Sequence, residues 1–551
     1  MTATAPTGSM GKPAAKSFEA PHPGTKAMPR WDTGELIEAP IFTWRNILAM
    51  IGPGLVMGAS AIGGGEWLAG PAVTAKYGGA LLWVAAVSIV FQVIYNIEIS
   101  RYALYTGEPI FTGKFRLPPH PMFWLVVYLL LDWGSIFPYL MTNAAVPLEA
   151  MILQRLPDSE HLRSDWLLHK WLCTGMYMLL TVPLIFGGKI YDSLKVLMSL
   201  KLIVVIGFLV FLGIFFAKPS SWVDIVSGLF KFGTVPVSGN STENIFIELF
   251  QHGRFPEVDL SLIAMIAALA AIAGNGGLTN TPISNFTRDQ GWGMGAKVGA
   301  IPSVVGGHGI TLSHVGCVFE VNEQSLPRWR RWVRHVARDQ LVVWMGACLI
   351  GVSLPSILSV EFLPRGTNAS DWTMAALTAE GVQKQVTSPS PGVLAFHEPL
   401  RSMISGPQLG KFFWGATLFC GFLVLITSQT TTLDGFCRRW VDVTWTAVPA
   451  LRVLKTDKVK YVYFTTLMAI TAFGLVIIWI TEKPGFVFKV ATTGYNFAFA
   501  FSAWHTLGVN TVLLPKPLRP GWGPRIGLVL GGCFFLSLGV MSAMKLAGVV
   551  K

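Results

Sequence analysis

IGPGLVMGASAIGGGEWLAGPAVTAKYGG, residues 51–79, is apolar enough to enter a membrane, but its centre does not read as helix. Gly63, Gly64 and Gly65 stand together there. Each glycine costs a helix about 1 kcal/mol relative to alanine, so a run of them predicts an unwound point. Glu66 follows at once. A carboxylate at membrane depth costs about 3 kcal/mol or more unless it faces a partner or water.

A second stretch repeats the pattern. LIAMIAALAAIAGNGGLTNTPISNFTRDQGWGMG, residues 262–295, begins as plain apolar helix. It then turns to Gly274, Asn275, Gly276, Gly277, Thr279, Asn280, Thr281, Pro282, Ser284 and Asn285. Backbone unwinds at membrane depth only where it lines a cavity or is buried in protein. Helices merely packed on glycine would not need Glu66, or a run of amides and hydroxyls.

A helix needs about 20 apolar residues to cross the hydrocarbon core. On that criterion, spans are expected near 46–74, 79–104, 121–150, 167–187, 190–217, 258–287, 337–360, 411–437, 458–480, 484–511 and 522–547. The two interrupted spans are the first and the sixth. Breaks five spans apart mark inverted five-helix repeats. The expected architecture is therefore an all-α polytopic membrane protein of about eleven transmembrane helices, a 5+5 inverted repeat with helices 1 and 6 broken. Its expected parts are a disordered cytoplasmic tail (1–40), a first repeat (41–217), an extracytoplasmic loop (218–257), a second repeat (258–511) and an added span 11 (512–551).

Composition agrees. Of the 551 residues, 52% are hydrophobic and 13% charged, against about 25% charged in a soluble domain. The net charge of +12 fits orientation in a bilayer. No basic stripe lies in a segment large enough to fold in water, so no nucleic-acid partner is expected. Basic residues concentrate in the links after spans 6, 8 and 10, including Arg328, Arg331, Arg438, Arg439, Arg452 and Lys455. This places the N-terminus in the cytoplasm. A multi-pass protein of a bacterial inner (plasma) membrane, monomeric, with the lipid bilayer and a small ion or solute as its partners, is the resulting expectation. The six cysteines form no CxxC pair, and no nucleophile–base constellation suggests an enzyme.

At these residues the chain resembles the Nramp family of divalent metal transporters. Gly52-Pro53-Gly54 is similar to that family's opening of span 1. Tyr77-Gly78, Leu81-Leu82-Trp83, Arg101 and Thr106-Gly107 continue the likeness, and Ser428-Gln429-Thr430-Thr431-Thr432 is similar to its Gly-Gln-Ser-Ser-Thr in span 8. The resemblance implies the leucine-transporter-like form of the inverted repeat and proton-coupled (symporter) transport of a divalent cation.

The site motifs depart from the family. Where its span 1 has Asp-Pro-Gly-Asn, this chain has Gly63-Gly64-Gly65-Glu66. Where its span 6 has Met-Pro-His, this chain has Leu278-Thr279-Asn280. The soft thioether is gone. What remains is an oxygen-only candidate set: Glu66, Gly63, Asn275, Thr279 and Asn280. Such oxygens suit a hard or borderline cation, magnesium or manganese, as cargo, with no resident cofactor. Asp132, Gln429 and Asn285 are candidates for coupling or for supporting the site. The alternative is a transporter of the same fold that has lost the metal site and carries a small organic solute or anion.

Overall fold

The computed structural model describes residues 18–22, 24–41, 43, 52–185, 190–300, 313–481 and 483–550. The fold is all-α and leucine-transporter-like. Among the described residues, eight helices are long and apolar enough to cross a membrane. Span 1 escapes that criterion because it is cut in two, Pro53–Ala61 and then Gly65–Ala69 continued by Gly70–Tyr77, whereas Arg163–Ile185 and Pro484–Val512 are long enough and fall short of it in composition. Span 2 is Trp83–Thr106, span 4 Arg163–Ile185, span 5 Ile190–Phe216, span 9 Thr456–Ile480, span 10 Pro484–Val512 and span 11 Trp522–Leu546.

Span 6 is cut as well. Ile263–Ile272 ends at Ala273, and the chain resumes as a short 3-10 turn, Gly277–Asn280, and the helix Pro282–Asp289. Gly276 sits at φ 69°, where a Cβ would stand 1.5 Å from the Ala271 carbonyl oxygen, so only glycine fits. Span 3 carries an interruption that the sequence reading did not include. Pro121–Leu131 stops at Asp132, a short turn Trp133–Ile136 follows, and the helix restarts as Tyr139–Leu153 after Pro138.

Two spans run further than their apolar cores. Span 8 extends over Pro407–Ala447, so Arg438 and Arg439 are not loop charges. Both are fully buried within the helix and paired with acids. Their contribution to the expected basic link is corrected accordingly: a charge satisfied inside the protein says nothing about orientation. Span 7 begins as the basic helix Ser325–Arg338, passes through a π-turn at Asp339–Trp344 and continues as Met345–Phe362.

Part of the expected disordered tail is ordered. Residues 1–17 lie outside the described residues, but Asp32–Thr33 pairs in parallel with Cys317–Val318. Arg116 Nη1 donates to the Pro29 carbonyl at 2.8 Å, and Trp332 Nε1 to that of Ile37 at 2.9 Å. These bonds strap the segment across the helix ends. Its low apolar content hides this, because a few apolar side chains, Met28, Trp31 and Leu36 among them, are buried in the core and its backbone carbonyls take further bonds. The stretch 218–257 folds as a helix, Pro219–Gly228, a hairpin of Thr234–Val237 with Ser241–Asn244, and a second helix, Ile245–His252.

The buried core is continuous through all these spans. At its centre the two breaks touch. A Cβ on Gly65 would stand 2.2 Å from the carbonyl oxygen of Ile272. Span 1 therefore meets span 6 backbone to backbone.

Candidate functional site

The breaks expose backbone groups that the helices no longer satisfy, and each must find a partner. Glu66 supplies two. Its Oε2 accepts the N–H of Gly63 at 3.1 Å, and its Oε1 accepts the N–H of Gly274 at 3.0 Å. The carboxylate, with no exposed surface, is thus a clasp between the two unwound points. Gln92 of span 2 splints span 6 in the same way. Its Oε1 accepts from Asn275 N and Gly276 N, each at 3.1 Å, and its Nε2 donates to the Ala273 carbonyl at 2.9 Å.

Span 8 closes the other side. Ser428 Oγ donates to the Ser60 carbonyl at 2.9 Å and accepts from Lys201 Nζ of span 5 at 2.9 Å. Ser60 Oγ and Thr431 Oγ1 are 2.6 Å apart. At the start of span 1, Asp339 of span 7 accepts from Gly52 N at 3.1 Å and Gly54 N at 2.7 Å. It does the work of an N-cap from a distant element.

Between these elements lies a cavity of about 20 Å³, lined by Ser60 and Gly64 of span 1, Asn275 and Thr279 of span 6, and Ser428 and Arg439 of span 8, among others. That volume admits about one water-sized group. Among the described residues, no aspartate or glutamate lines it.

Of the expected metal ligands, Asn275 and Thr279 line the cavity. Gly63 and Glu66 stand behind its wall, engaged with each other and with Gly274. Asn280 turns to span 2, donating from Nδ2 to Asn96 Oδ1 at 2.8 Å. Thr279 Oγ1 donates to the carbonyls of Asn275 and Gly276, each at 2.5 Å, so its proton is spent on the break. Asn275 Oδ1 accepts from Trp344 Nε1 at 3.0 Å, which leaves the Nδ2 donor as the free end of that amide. Among the described residues no group of three or more His, Cys, Asp or Glu is placed to hold a metal ion.

The three coupling candidates are scattered. Asn285 Nδ2 donates to Asp442 Oδ2 at 2.5 Å, within a buried ion cluster. Arg288 Nη1 reaches Asp442 Oδ1 at 2.7 Å, and Arg438 Nε reaches Asp434 Oδ2 at 2.6 Å, with Asp289 joining Arg288 to Arg438. Gln429 is buried on span 8, and its Oε1 has no hydrogen-bond partner. Asp132 lies at the span 3 interruption. It takes two bonds from Arg439, Nε at 2.8 Å and Nη2 at 2.7 Å, and one from Trp440 Nε1 at 2.8 Å.

Gln92, Trp344, Lys201 and Arg439 were missing from the expected site. The pairs Asp434 with Arg438 and Arg438 with Asp442, at i,i+4 spacing, were a readable signal that the helix continues through Arg439, but the partner of Arg439 itself, Asp132, is 307 positions away and has no local mark. Gln92, Trp344 and Lys201 carry none, because nothing local distinguishes them from other residues of apolar helices.

The likeness of this chain to known proteins is one of fold. No protein-family model and no curated protein sequence matches it. Solved structures do. The Eremococcus coleocola manganese transporter, in complex with an aromatic bis-isothiourea substituted compound, is similar at a TM-score of 0.57 with 12% identity, over 92% of this chain and 89% of that one. A mutant of the same transporter gives a TM-score of 0.57 with 11% identity, over 92% and 88%. This chain has the fold of that transporter. At such identity the likeness shows the fold and leaves the cargo to the residues of the site.

Proposed function

We propose that this chain is a secondary transporter that carries a small polar solute, rather than a bare divalent cation, through the cavity between broken spans 1 and 6. The transporter half of the reading rests on the shared fold, on two breaks that converge, and on a polar cavity at their meeting point. The N-terminus faces the cytoplasm of a bacterial inner membrane in this reading, supported by the basic helix Ser325–Arg338 and by Arg452.

One observation carries the choice of cargo. Among the described residues, the cavity wall holds hydroxyls, an amide and a guanidinium but no carboxylate. A divalent cation stripped of water needs anionic oxygen. Glu66 is the nearest candidate, and both of its oxygens are engaged by backbone N–H groups. It stands outside the lining residues, and a cation bound to it would share its lone pairs with the two N–H donors that it already accepts. An organic solute asks less, because hydroxyls and amides exchange hydrogen bonds without a charge to neutralise.

The test is calorimetric titration of the purified protein with magnesium, calcium, manganese and cadmium, repeated on Glu66→Gln. The expected result is no saturable binding of any of them. Stoichiometric binding by the wild type that Glu66→Gln abolishes would establish the divalent-cation reading instead.

A further inference from the structure

Among the described residues, Arg439 is the one charged side chain in the wall of the central cavity. Its guanidinium is used on one edge only. Nε and Nη2 hold Asp132, whereas Nη1 is buried without a hydrogen-bond partner. Nη1 lies 3.9 Å from the point that a Cβ on Gly435 would occupy, and Gly435 lines the same cavity. Two N–H groups are therefore left unmade beside a polar space. A buried donor without a partner is rare enough in a folded protein to call for a ligand or water.

We propose that Arg439 Nη1, together with the Nδ2 amide of Asn275, forms a subsite for an anionic oxygen of the cargo, and that the cargo is a small carboxylate. This rests on the reading that the cavity carries a polar solute, and it names the group by which that solute is recognised.

The charges around the cavity are arranged for it. Asp132 sits on the far edge of Arg439, and the Glu66 carboxylate is turned onto backbone amides. Lys201 stands one hydroxyl behind the wall, with Nζ on Ser428 Oγ. Lys201 and Glu66 thus each stand one group behind the wall, and Arg439 is in the wall itself. The second half of span 6 presents its N-terminal end through Thr279 and Pro282, which adds positive potential. The hydroxyl of Thr279 spends its proton on carbonyls of the break. The guanidinium and the amide each keep a donor unused. The present space of about 20 Å³ holds one oxygen-sized group, so the rest of the solute enters as the breaks open.

The experiment uses the purified full-length protein. Formate and acetate are titrated calorimetrically, with formamide and acetamide as neutral counterparts of the same shape, against wild type, Arg439→Lys and Asn275→Leu. Arg439→Lys keeps a cation for Asp132 but removes the planar free edge. Asn275→Leu leaves the ion pair untouched, which keeps the test open if the arginine variant fails to fold. Saturable carboxylate binding is expected, at least tenfold weaker in each variant, with the amides inert. Amide binding that equals carboxylate binding and survives Arg439→Lys overturns the anionic subsite while leaving a polar cargo intact. Failure of either carboxylate to bind overturns the subsite, and manganese binding in its place overturns the polar-solute reading as well.

Discussion

Oε1 of Glu66 lies 3.0 Å from the backbone nitrogen of Gly274, so a side chain on span 1 terminates the first half of span 6. Its other oxygen does the same for Gly63 on its own span. One carboxylate thus closes both breaks. Glu66→Ala leaves two buried N–H groups without acceptors and is expected to lower stability by about 2–4 kcal/mol. Glu66→Gln, which keeps one carbonyl oxygen, should fall between. Unfolding of the purified variants in detergent measures this, and a Glu66→Ala protein as stable as the wild type would refute the clasp.

Asp132 and Arg439 make a buried bidentate pair. Removing one member leaves an uncompensated charge, at about 3–5 kcal/mol. Asp132→Ala and Arg439→Ala are each expected to destabilise by that order. The double variant Asp132→Ala with Arg439→Ala should cost clearly less than the two single losses added together. A double-mutant cycle on unfolding free energies gives the coupling directly, and additive losses would show the pair to be inert.

Gln92 holds three backbone groups of the span 6 break. Gln92→Leu has similar bulk and none of the bonds. Residues 273–277 are expected to exchange their amide hydrogens faster in this variant, while span 11 exchanges as before. Hydrogen-exchange mass spectrometry reads both regions in one experiment. Unchanged protection at 273–277 would remove Gln92 from the account.

Two glycines test the close approach of the breaks. A Cβ on Gly65 would lie 2.2 Å from the Ile272 carbonyl oxygen, whereas on Gly175 of span 4 it would meet nothing within 4 Å. Gly65→Ala is expected to abolish folding or transport. Gly175→Ala should be neutral or stabilise by up to about 1 kcal/mol through helix propensity. Expression level and melting temperature distinguish them, and equal behaviour would contradict the contact.

The sequence by itself determined the helical spans and the positions of the two breaks. Those features are local: about 20 apolar residues make a span, and the glycine runs at 63–65 and 274–277 cost a helix wherever they fall. The spacing of the breaks then implied the repeat. The roles of the charged residues were decided only by the tertiary structure. Glu66 reads in sequence as a ligand aimed at a cavity and is in fact engaged by backbone amides 3 and 208 positions away. Arg439 reads as a loop charge that sets orientation, yet it is buried against an aspartate 307 positions away with one edge free on the cavity. The physical reason is the low dielectric of the interior. There a charge or an open backbone group must be met by a partner, and which residue arrives to meet it depends on how distant spans pack.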